Sequence, residues 1–317
     1  MSAELDAWRK GGSFFLYRGH RIFYRDRGHG PVLLLLHGFP SSTFDFDAQW
    51  PALVERFRVV ACDLIGFGLS EKAPNYPYTV KDQALLLGAL AKKLGIKSAN
   101  LFAHDYGASV AQELIARMQE AAADTEGVLR IDSVCYLNGG LFPDLHRPLL
   151  VQRLLAGRFG KFVARFTSER TFGKGMRDVF GKSTPPSPSW LADGWWLLCQ
   201  DNGKVVLPKL IGYMAERQLE RARWEKAVLE SPVPARLING TADPVSGGHL
   251  ADHYAAQVPN ADVVRLEGIG HYPHVESPDA VLQAFLGFHE QRGALCDEDP
   301  ESRDSESEPP SELIRIG

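Results

Sequence analysis

Six short apolar runs, each of strand length and bounded by turn residues, constrain the fold of this 317-residue chain more than any other feature. Apolar residues stand at consecutive positions in these runs, a pattern typical of parallel strands that are buried on both faces. Helical patterns lie between several of them, at 79–94, 109–120, 249–257 and 279–292. This alternation predicts an α/β fold with a mainly parallel sheet. The runs are PVLLLLH (31–37), FRVVACD (57–63), SANLFAH (98–104), IDSVCYLN (131–138), ARLING (235–240) and ADVVRLEG (261–268).

Two further regions complete the predicted architecture. Residues 14–25 alternate between apolar or aromatic and polar side chains, which predicts a hairpin of half-exposed strands. Residues 139–231 show no strand pattern, and helical stretches at 147–156 and 209–229 dominate them. They are predicted to form a helical insertion over the carboxyl ends of the sheet. Because the insertion holds four of the six tryptophans, it either closes an apolar pocket or forms a small core of its own, and the two are compatible.

Charge and targeting signals exclude several classes of function. The formal charge of −4 arises at the carboxyl end, where residues 297–317 hold eight acids and two arginines. The preceding residues have 33 basic and 31 acidic side chains, so nothing in the charge predicts nucleic-acid binding. Residues 293–317 are predicted to be a disordered acidic tail. No signal peptide is evident, and no stretch approaches the ~20 apolar residues of a membrane span, so a cytoplasmic protein is the default expectation.

The turn Ala103-His104-Asp105-Tyr106-Gly107 places a carboxylate between a strand and a helix. A strand that reverses directly into a helix forces its central residue into a strained conformation, and small residues two positions away prevent a clash. The central side chain then projects into the site, so Asp105 is predicted to be a nucleophile. The structural alternative is that Asp105 only caps the helix, which aspartate does well.

Two backbone amides are predicted to form an oxyanion hole beside Asp105. The stretch HGFP (37–40) follows the first buried strand, and its glycine lets the loop turn so that the Phe39 N–H can point at the nucleophile. The Tyr106 N–H at the helix start is the second donor. Two preorganised donors of this kind are worth several kcal/mol in a transition state. His37 is a pocket candidate, but a structural hydrogen-bonding role is favoured over a catalytic one.

A histidine and a second acid follow two later strands. His271 comes directly after a glycine at the end of the last apolar run and is predicted to be the base, whereas His274 is predicted to pack and Glu276 to brace the loop. Asp243 is placed to hold the imidazole and to stabilise its charged form, although an Asx-turn would also explain it. The order Asp105, Asp243, His271 matches the nucleophile, acid and histidine of the α/β-hydrolase arrangement.

At these residues the chain resembles the α/β-hydrolase superfamily, over about residues 14–292. The matching segments resemble the epoxide hydrolase and haloalkane dehalogenase branch, which uses aspartate as the nucleophile. The segments are HGFP (37–40), DLIGFGLSEK (63–72), HDYG (104–107) and GHYPHVE (270–276).

Two features are similar to the mesoderm-specific transcript (MEST) group within that branch. They are the long run NGGLFPDLHRPLLVQRLL (138–155) and HDYG in place of HDWG. The resemblance implies an eight-stranded, mostly parallel sheet flanked by helices, with a helical cap inserted after the sixth strand. The implied domains are a core at 1–138 and 232–292 and a cap at 139–231.

A carboxylate nucleophile narrows the reaction. It attacks a saturated carbon that carries a leaving group and becomes an alkyl ester. His271 then activates a water that attacks the carbonyl of Asp105, while the Phe39 and Tyr106 amides hold the oxyanion. This scheme requires no metal or organic cofactor, and its partner is a small-molecule substrate.

Two leaving groups suit the scheme. An epoxide oxygen must be protonated or hydrogen-bonded, and similar enzymes give this task to cap tyrosines, often two. The insertion has one tyrosine, Tyr213, which either points into the pocket or packs. A halide needs N–H donors, and the dehalogenase positions for them hold Tyr106 and Phe39, whose side chains have none. Hydrolysis of an epoxide on a largely apolar substrate is therefore favoured over dehalogenation. Trp195 and Trp196 are candidates to line the pocket.

Two other interpretations remain open. His249 and His253 lie four residues apart and could share a helical face as metal ligands, but no third ligand is evident, so no metal is predicted. A hydrolase fold does not guarantee a reaction, so the chain could be a binding module that has lost its chemistry. An inert relative would normally have lost Asp105, Asp243 or His271, and all three are present. The oligomeric state is left open by the sequence.

Overall fold

The computed structural model describes residues 1–122 and 128–293 of the chain. The predicted acidic tail lies outside the described residues from 294 onwards. One sheet is built from eight strands, which are β1 (Ser13–Tyr17), β2 (His20–Arg27), β3 (Val32–Leu36), β4 (Arg58–Cys62), β5 (Ser98–His104), β6 (Arg130–Leu137), β7 (Ala235–Gly240) and β8 (Asp262–Leu266). Their order is β1-β2-β4-β3-β5-β6-β7-β8. The β1–β2 and β2–β4 pairs are antiparallel, and the remaining pairs are parallel, so the predicted fold class is confirmed.

Helices flank the sheet, and seven of the described α-helices lie between β6 and β7 along the chain. The α-helices are α1 (Ala3–Lys10), α2 (Trp50–Arg56), α3 (Val80–Lys93), α4 (Tyr106–Glu120), α5 (Leu150–Ala156), α6 (Gly160–Phe166), α7 (Glu169–Arg177), α8 (Pro188–Cys199), α9 (Leu207–Leu210), α10 (Tyr213–Leu219), α11 (Arg221–Leu229), α12 (Gly248–Gln257), α13 (Pro273–Glu276) and α14 (Pro278–Gln291). Short 3-10 helices occur at Thr43–Phe46, Pro143–Leu145 and Gln200–Val206. None of the helices in the described ranges is long and apolar enough to cross a membrane.

The apolar runs become strands because both faces of the sheet are covered. On β3, Leu34 and Leu36 belong to the core that includes side chains of α3 and α4. The alternate residues Leu33 and Leu35 belong to the core on the opposite face, with side chains of α2 and α14. Successive side chains of a strand point to opposite faces, so a strand covered on both sides has no polar positions to alternate with.

The last predicted strand differs from the others in its burial. The run 261–268 was expected to be buried on both faces, but the side chains of β8 are mostly half-buried. β8 lies at the end of the sheet beyond β7, where there is less to cover it. The apolar run 261–268 therefore forms a half-buried edge strand rather than a strand buried on both faces.

The insertion between β6 and β7 consists of helices α5 to α11 and two of the 3-10 helices, with no strand among its residues, all of which are described. The stretch 209–229, predicted as one helical region, forms three short helices. The proline-rich segment ends where α8 begins, because the Ser187 side chain accepts a hydrogen bond from the Trp190 N–H and Pro188 occupies the first helical position.

Tryptophans of the insertion hold it to the rest of the protein and also pack within it, as the small-core alternative expected. The Trp224 Nε1–H donates to Glu113 Oε2 on α4 at 2.8 Å, and the Trp190 Nε1–H donates to Asp45 Oδ1 at 3.1 Å. Both bonds fasten the insertion to the body that carries the sheet. The ring of Trp195 instead packs inside the insertion.

Candidate active site

Asp105 occupies the turn between β5 and α4 in a strained backbone conformation. Its φ is 43°, in the left-handed region that non-glycine residues avoid. Gly107 must be small, because a Cβ there would lie 2.4 Å from the carbonyl oxygen of Leu36. The Asp105 side chain makes no capping hydrogen bond with α4, which argues against the helix-cap interpretation. Asp105 is 3% exposed, and its carboxylate points toward Phe39 and His271.

One carboxylate oxygen of Asp105 is held by the loop after β3. Oδ2 accepts a hydrogen bond from the Phe39 N–H at 3.1 Å. The loop can approach this closely because Gly38 has no side chain, and a Cβ there would lie 2.6 Å from His104 Nδ1. For the second predicted donor, the Tyr106 N–H, the described residues show no bond to this carboxylate.

His271 lies between the two aspartates. Its Nδ1 is 2.7 Å from Asp243 Oδ2, and its Nε2 is 3.9 Å from Asp105 Oδ1. Asp243 Oδ2 also accepts hydrogen bonds from Ser246 Oγ at 2.7 Å and from Asn138 Nδ2 at 2.9 Å. The structure thus brings together the three residues predicted as nucleophile, acid and base, and fixes the acid from several sides.

Hydrogen bonds to Glu276 brace the loop that carries the histidine. Glu276 Oε2 accepts from the Gly270 N–H at 2.9 Å and from the Gly181 N–H of the insertion at 2.7 Å. Glu276 Oε1 accepts from the Tyr272 N–H at 3.1 Å. The carboxylate therefore ties both sides of His271 to each other and to the insertion.

Two further buried histidines support the same loop. The Nε2 of His104 lies 2.8 Å from the backbone oxygen of His271, and burial lowers the pKa of His104 to about 3, so the neutral ring donates this bond. His274 packs on Phe46 with ring centroids 4.7 Å apart. Burial also lowers the pKa of His274 well below its ordinary value, so it is a neutral packing residue.

The charges at the site alternate in sign. Burial would lower the pKa of His271, but the charge and hydrogen bond of Asp243, together with the charge of Asp105, raise it to about 9. Burial would raise the pKa of each aspartate, but the positive charge of His271 outweighs it, so both pKa values lie below the ordinary range. At neutral pH the site therefore holds two carboxylates with an imidazolium between them.

The sequence analysis missed Arg217, a buried arginine of the insertion beside Asp105. It lies on α10, and its Nη2 is 3.7 Å from Asp105 Oδ1 and donates to the backbone oxygen of Asp105 at 3.1 Å. Its Nε–H donates to Ser109 Oγ on α4 at 2.6 Å. Arg217 thus supplies a second positive charge near the Asp105 carboxylate and lowers the pKa of Asp105 further.

Beside Arg217, buried nitrogen atoms lack hydrogen-bond partners within the described part of the chain. They are Nη1 of Arg217 and both ring nitrogens of His146. Both side chains border Gly140, where a Cβ would lie 2.4 Å from Nη1 and 3.3 Å from His146 Nδ1. Burial lowers the pKa of His146 to about 4, so its ring is neutral and one nitrogen carries a proton. Buried donors without partners are uncommon, and here they belong to or lie beside Arg217, which contacts Asp105.

Tyr213 faces the site rather than the exterior of the insertion. It lies one turn before Arg217 on α10, and the guanidinium carbon stands 4.5 Å from the centre of its ring. Its ring centroid is 5.1 Å from that of Tyr106 and 6.0 Å from that of Phe39. Burial raises the pKa of the Tyr213 hydroxyl, so its proton remains in place at neutral pH.

The other pocket candidates lie away from the carboxylate or serve the backbone. His37 donates from Nδ1 to the Gly38 oxygen at 2.9 Å and accepts at Nε2 from the Leu64 N–H at 3.1 Å, so both its nitrogens hold the loop. Trp195 and Trp196 lie on α8, and among the described ring contacts Trp195 meets Phe172 at 5.8 Å rather than any residue around Asp105.

The histidine pair on α12 meets the start of the insertion. His249 Nε2 lies 3.0 Å from the backbone oxygen of Leu145, and the ring of His253 packs on Phe142 with centroids 4.6 Å apart. Within residues 1–122 and 128–293, no group of three or more histidine, cysteine or acidic side chains is placed to hold a metal ion.

The arrangement defines a class of protein. A mostly parallel sheet carries a strained acidic residue after one strand, and a second acid and a histidine after two later strands, which is the layout of the α/β hydrolases. The chain belongs to the alpha/beta hydrolase family, whose sequence pattern matches residues 33–284.

Known proteins support this assignment. The chain is 38% identical to the mesoderm-specific transcript homolog protein of Homo sapiens over 299 residues, which cover 91% of this chain and 88% of that protein. It is 37% identical over 284 residues to haloalkane dehalogenase 2 of Mycobacterium tuberculosis, with 84% and 90% covered. The solved structure of epoxide hydrolase CorEH without ligand has the same fold, with a TM-score of 0.74 at 20% identity over 89% of this chain and 99% of that one. The resemblances described from the sequence are thereby confirmed, and the chain is an α/β hydrolase.

Proposed function

We propose that the protein hydrolyses an epoxide on a small, largely apolar molecule through an ester formed on Asp105, without a cofactor. The observation that carries the proposal is the unequal environment of the two carboxylate oxygens. Oδ2 is held by the Phe39 N–H, whereas Oδ1 faces His271 at 3.9 Å and Arg217 at 3.7 Å. Both distances exceed that of a hydrogen bond, so Oδ1 keeps its lone pairs available for attack.

In the first step, Oδ1 of Asp105 bonds to a ring carbon of the epoxide. The ring C–O bond breaks, its electron pair stays on the oxygen, and that oxygen takes the hydroxyl proton of Tyr213. The guanidinium of Arg217 lies over the tyrosine ring and stabilises the phenolate until solvent returns the proton.

In the second step, the ester is hydrolysed with His271 as the base. Ester formation removes the negative charge of Asp105, which is one cause of the raised pKa of His271, so the imidazolium then loses its proton to solvent more readily. The neutral Nε2 takes a proton from a water that attacks the Asp105 carbonyl carbon, and the Phe39 N–H holds the oxyanion. Collapse of this intermediate releases the diol, whose oxygen takes the proton from His271. The proton left on the new carboxyl group of Asp105 then passes to His271, which restores the carboxylate and the imidazolium.

We further propose that the insertion acts as a cap over a core formed by 1–138 and 232–292. Asp105 and His271 are 3% and 6% exposed, which supports a site covered by neighbouring parts of the protein. Arg217 contacts Asp105, and Tyr213 contacts Tyr106 beside it. These contacts support a cap that also supplies reactive groups.

Replacing Tyr213 tests the ring-opening step. Tyr213→Phe removes the proton donor and keeps the ring, so turnover of an epoxide such as styrene oxide should fall about 100-fold. Tyr254→Phe is the matched control, because Tyr254 is also buried with an unpaired hydroxyl but lies on α12. Epoxide turnover by Tyr213→Phe within twofold of the control would remove Tyr213 from the mechanism.

A second candidate reaction is hydrolytic dehalogenation by the same nucleophile. The unpaired Nη1 of Arg217 and the neutral ring of His146 provide the N–H donors that a departing halide needs, in place of the side chains missing at Tyr106 and Phe39. The similarity to a protein named haloalkane dehalogenase supports this candidate. Dehalogenation would be favoured if the unaltered protein released halide from bromoalkanes and formed no diol from epoxides. Arg217→Gln should then release halide at least tenfold more slowly. Diol formation without halide release would exclude dehalogenation.

A further inference from the structure

Exposed apolar side chains are concentrated on two helices of the insertion. In the described part of the chain, twelve large hydrophobic side chains are exposed, and six of them lie within residues 150–166, on α5, α6 and the turn between them. Single exposed apolar residues are ordinary, but a cluster of this kind marks an interaction surface. The six, which are exposed by 41 to 72%, are Leu150, Val151, Leu154, Phe159, Phe162 and Phe166.

The same segment is basic and lacks acids. Residues 147–166 contain five cationic side chains and no Asp or Glu, and all five are exposed. Among the ion pairs of the described residues, none involves these cations, so their charge is not neutralised locally. They are Arg147, Arg153, Arg158, Lys161 and Arg165. The six apolar and five cationic side chains together are called the outer face below.

The spacing along α6 places aromatic and cationic groups side by side. Phe159, Phe162 and Phe166 recur at three- and four-residue intervals, so they share one side of the helix, and the rings of Phe162 and Phe166 lie 4.4 Å apart. Lys161 and Arg165 each precede a phenylalanine by one position, about 100° around the helix. The cations therefore flank the aromatic stripe.

The opposite side of the two helices is packed against the protein. Leu155 on α5 and Ala164 on α6 are buried, and a Cβ on Gly160 would lie 3.2 Å from Pro208 of α9. The inner side thus holds the helix pair in place, and the outer face is left without a partner in the described structure.

We propose that the outer face docks the protein onto the surface of an anionic phospholipid bilayer. Aromatic and leucine side chains enter the boundary between headgroups and acyl chains, while flanking arginine and lysine side chains bind lipid phosphates. A second copy of the chain fits this face poorly, because a two-fold contact would bring the same five cations against each other. The proposal concerns where the protein sits and does not depend on the reaction.

Binding of the full chain to vesicles tests the proposal. The probe is phosphatidylcholine vesicles with and without 30% phosphatidylglycerol, and the measurement is the fraction of protein that floats with them in a density gradient at ~0.1 M salt. The unaltered protein should bind the anionic vesicles at least tenfold more tightly than the neutral ones. Phe159→Ser/Phe162→Ser/Phe166→Ser should lose at least 90% of this binding, and so should Arg158→Gln/Lys161→Gln/Arg165→Gln.

Matched variants away from the outer face control for general effects. Leu16→Ser/Leu219→Ser removes two exposed apolar side chains elsewhere, and Lys92→Gln/Lys93→Gln/Lys97→Gln removes three exposed cations, and both should bind as the unaltered protein does. If the full chain does not bind anionic vesicles, the proposal is overturned. This holds also if a second copy or the acidic tail is what covers the outer face. Equal loss of binding in the control variants also overturns it.

Discussion

Arg217 and His271 place two positive charges within 4 Å of the same carboxylate oxygen, Asp105 Oδ1. This pairing keeps a deeply buried acid ionised, because without cations a buried carboxylate takes up a proton. The ionised form is the nucleophilic one. The strained φ of Asp105 and its two cations therefore act together in the proposed mechanism, which needs an ionised Oδ1 held in one place.

The raised pKa of His271 makes part of the stability of the fold depend on pH. Its folded pKa of about 9 exceeds the ordinary value of 6.5, so the stabilisation is complete below pH 6.5 and is lost as the pH rises through about 9. The shift corresponds to about 3 kcal/mol. The unaltered protein and His271→Gln should differ in their free energy of unfolding. This difference should decrease by about 3 kcal/mol as the pH rises from 6.5 to 9.5.

Urea titrations at a series of pH values measure this difference. His253→Gln is the control, because the ring of His253 packs on Phe142 away from the two aspartates, and its difference from the unaltered protein should not follow the same curve. A His271→Gln difference that stays constant across the range would mean that the imidazolium is not held between the two carboxylates.

At the level of residues, the sequence predicted the site residues that follow strands. It missed the site residue that reaches Asp105 only because the insertion docks on the rest of the protein. Asp105, Asp243 and His271 each follow a strand, so the order of the strands alone places them at one edge of the sheet. Arg217 reaches the site only through the way the insertion docks, with α11 packed on α4 and the Arg217 side chain bonded to Ser109 of α4, which no local pattern encodes. One signal existed, since Tyr213 and Arg217 are four residues apart on a helix and must share a face.

Among the elements, the loop between β8 and α14 depends on one carboxylate. Glu276 accepts hydrogen bonds from three backbone amides and from the Thr184 hydroxyl. In Glu276→Gln an NH2 group replaces one acceptor and opposes these donors, so the variant should lose about 2 kcal/mol of stability. His271 should also be held less well, so ester hydrolysis should slow more than ester formation.

Thermal unfolding and single-turnover mass spectrometry check the two effects in the Glu276 variant. Glu230→Gln is the control, because the Glu230 side chain is exposed and pairs with Lys226 at 3.8 Å, so the change should alter stability by less than ~0.5 kcal/mol. If Glu276→Gln changed both quantities no more than the control, the brace would be an incidental contact.

The strands were predictable because burial on both faces leaves an unbroken apolar run, as in β3 and β5. Within the insertion, α5 lies in the predicted stretch 147–156, but α6 was not predicted, because its exposed side mixes phenylalanines with cations and lacks a clear polar face. The start of one helix also differs from the prediction. The helix predicted at 109–120 begins at Tyr106 in the structure, because it follows the strained turn at Asp105 directly, without a side-chain capping bond.

For the molecule as a whole, the insertion joins three roles on one set of helices. Its inner side brings Arg217 to Asp105 and Tyr213 to Tyr106, its tryptophans fasten it to the part of the protein that carries the sheet, and its outer face carries the proposed lipid surface. The family, the sheet and the presence of a helical insertion could be predicted from the sequence. The division of labour within the insertion could not, because it depends on which side of each short helix turns inward.

The central claim is that Asp105 forms a covalent ester with the substrate, and intact-mass spectrometry of His271→Gln after exposure to styrene oxide tests it most directly. Without the histidine base the ester forms but is not hydrolysed, so the protein mass should rise by one substrate mass, with the adduct mapping to Asp105. The variant Asp105→Ala/His271→Gln should stay at its own mass. An unmodified His271→Gln protein, from a preparation whose unaltered form turns the epoxide over, would contradict the account.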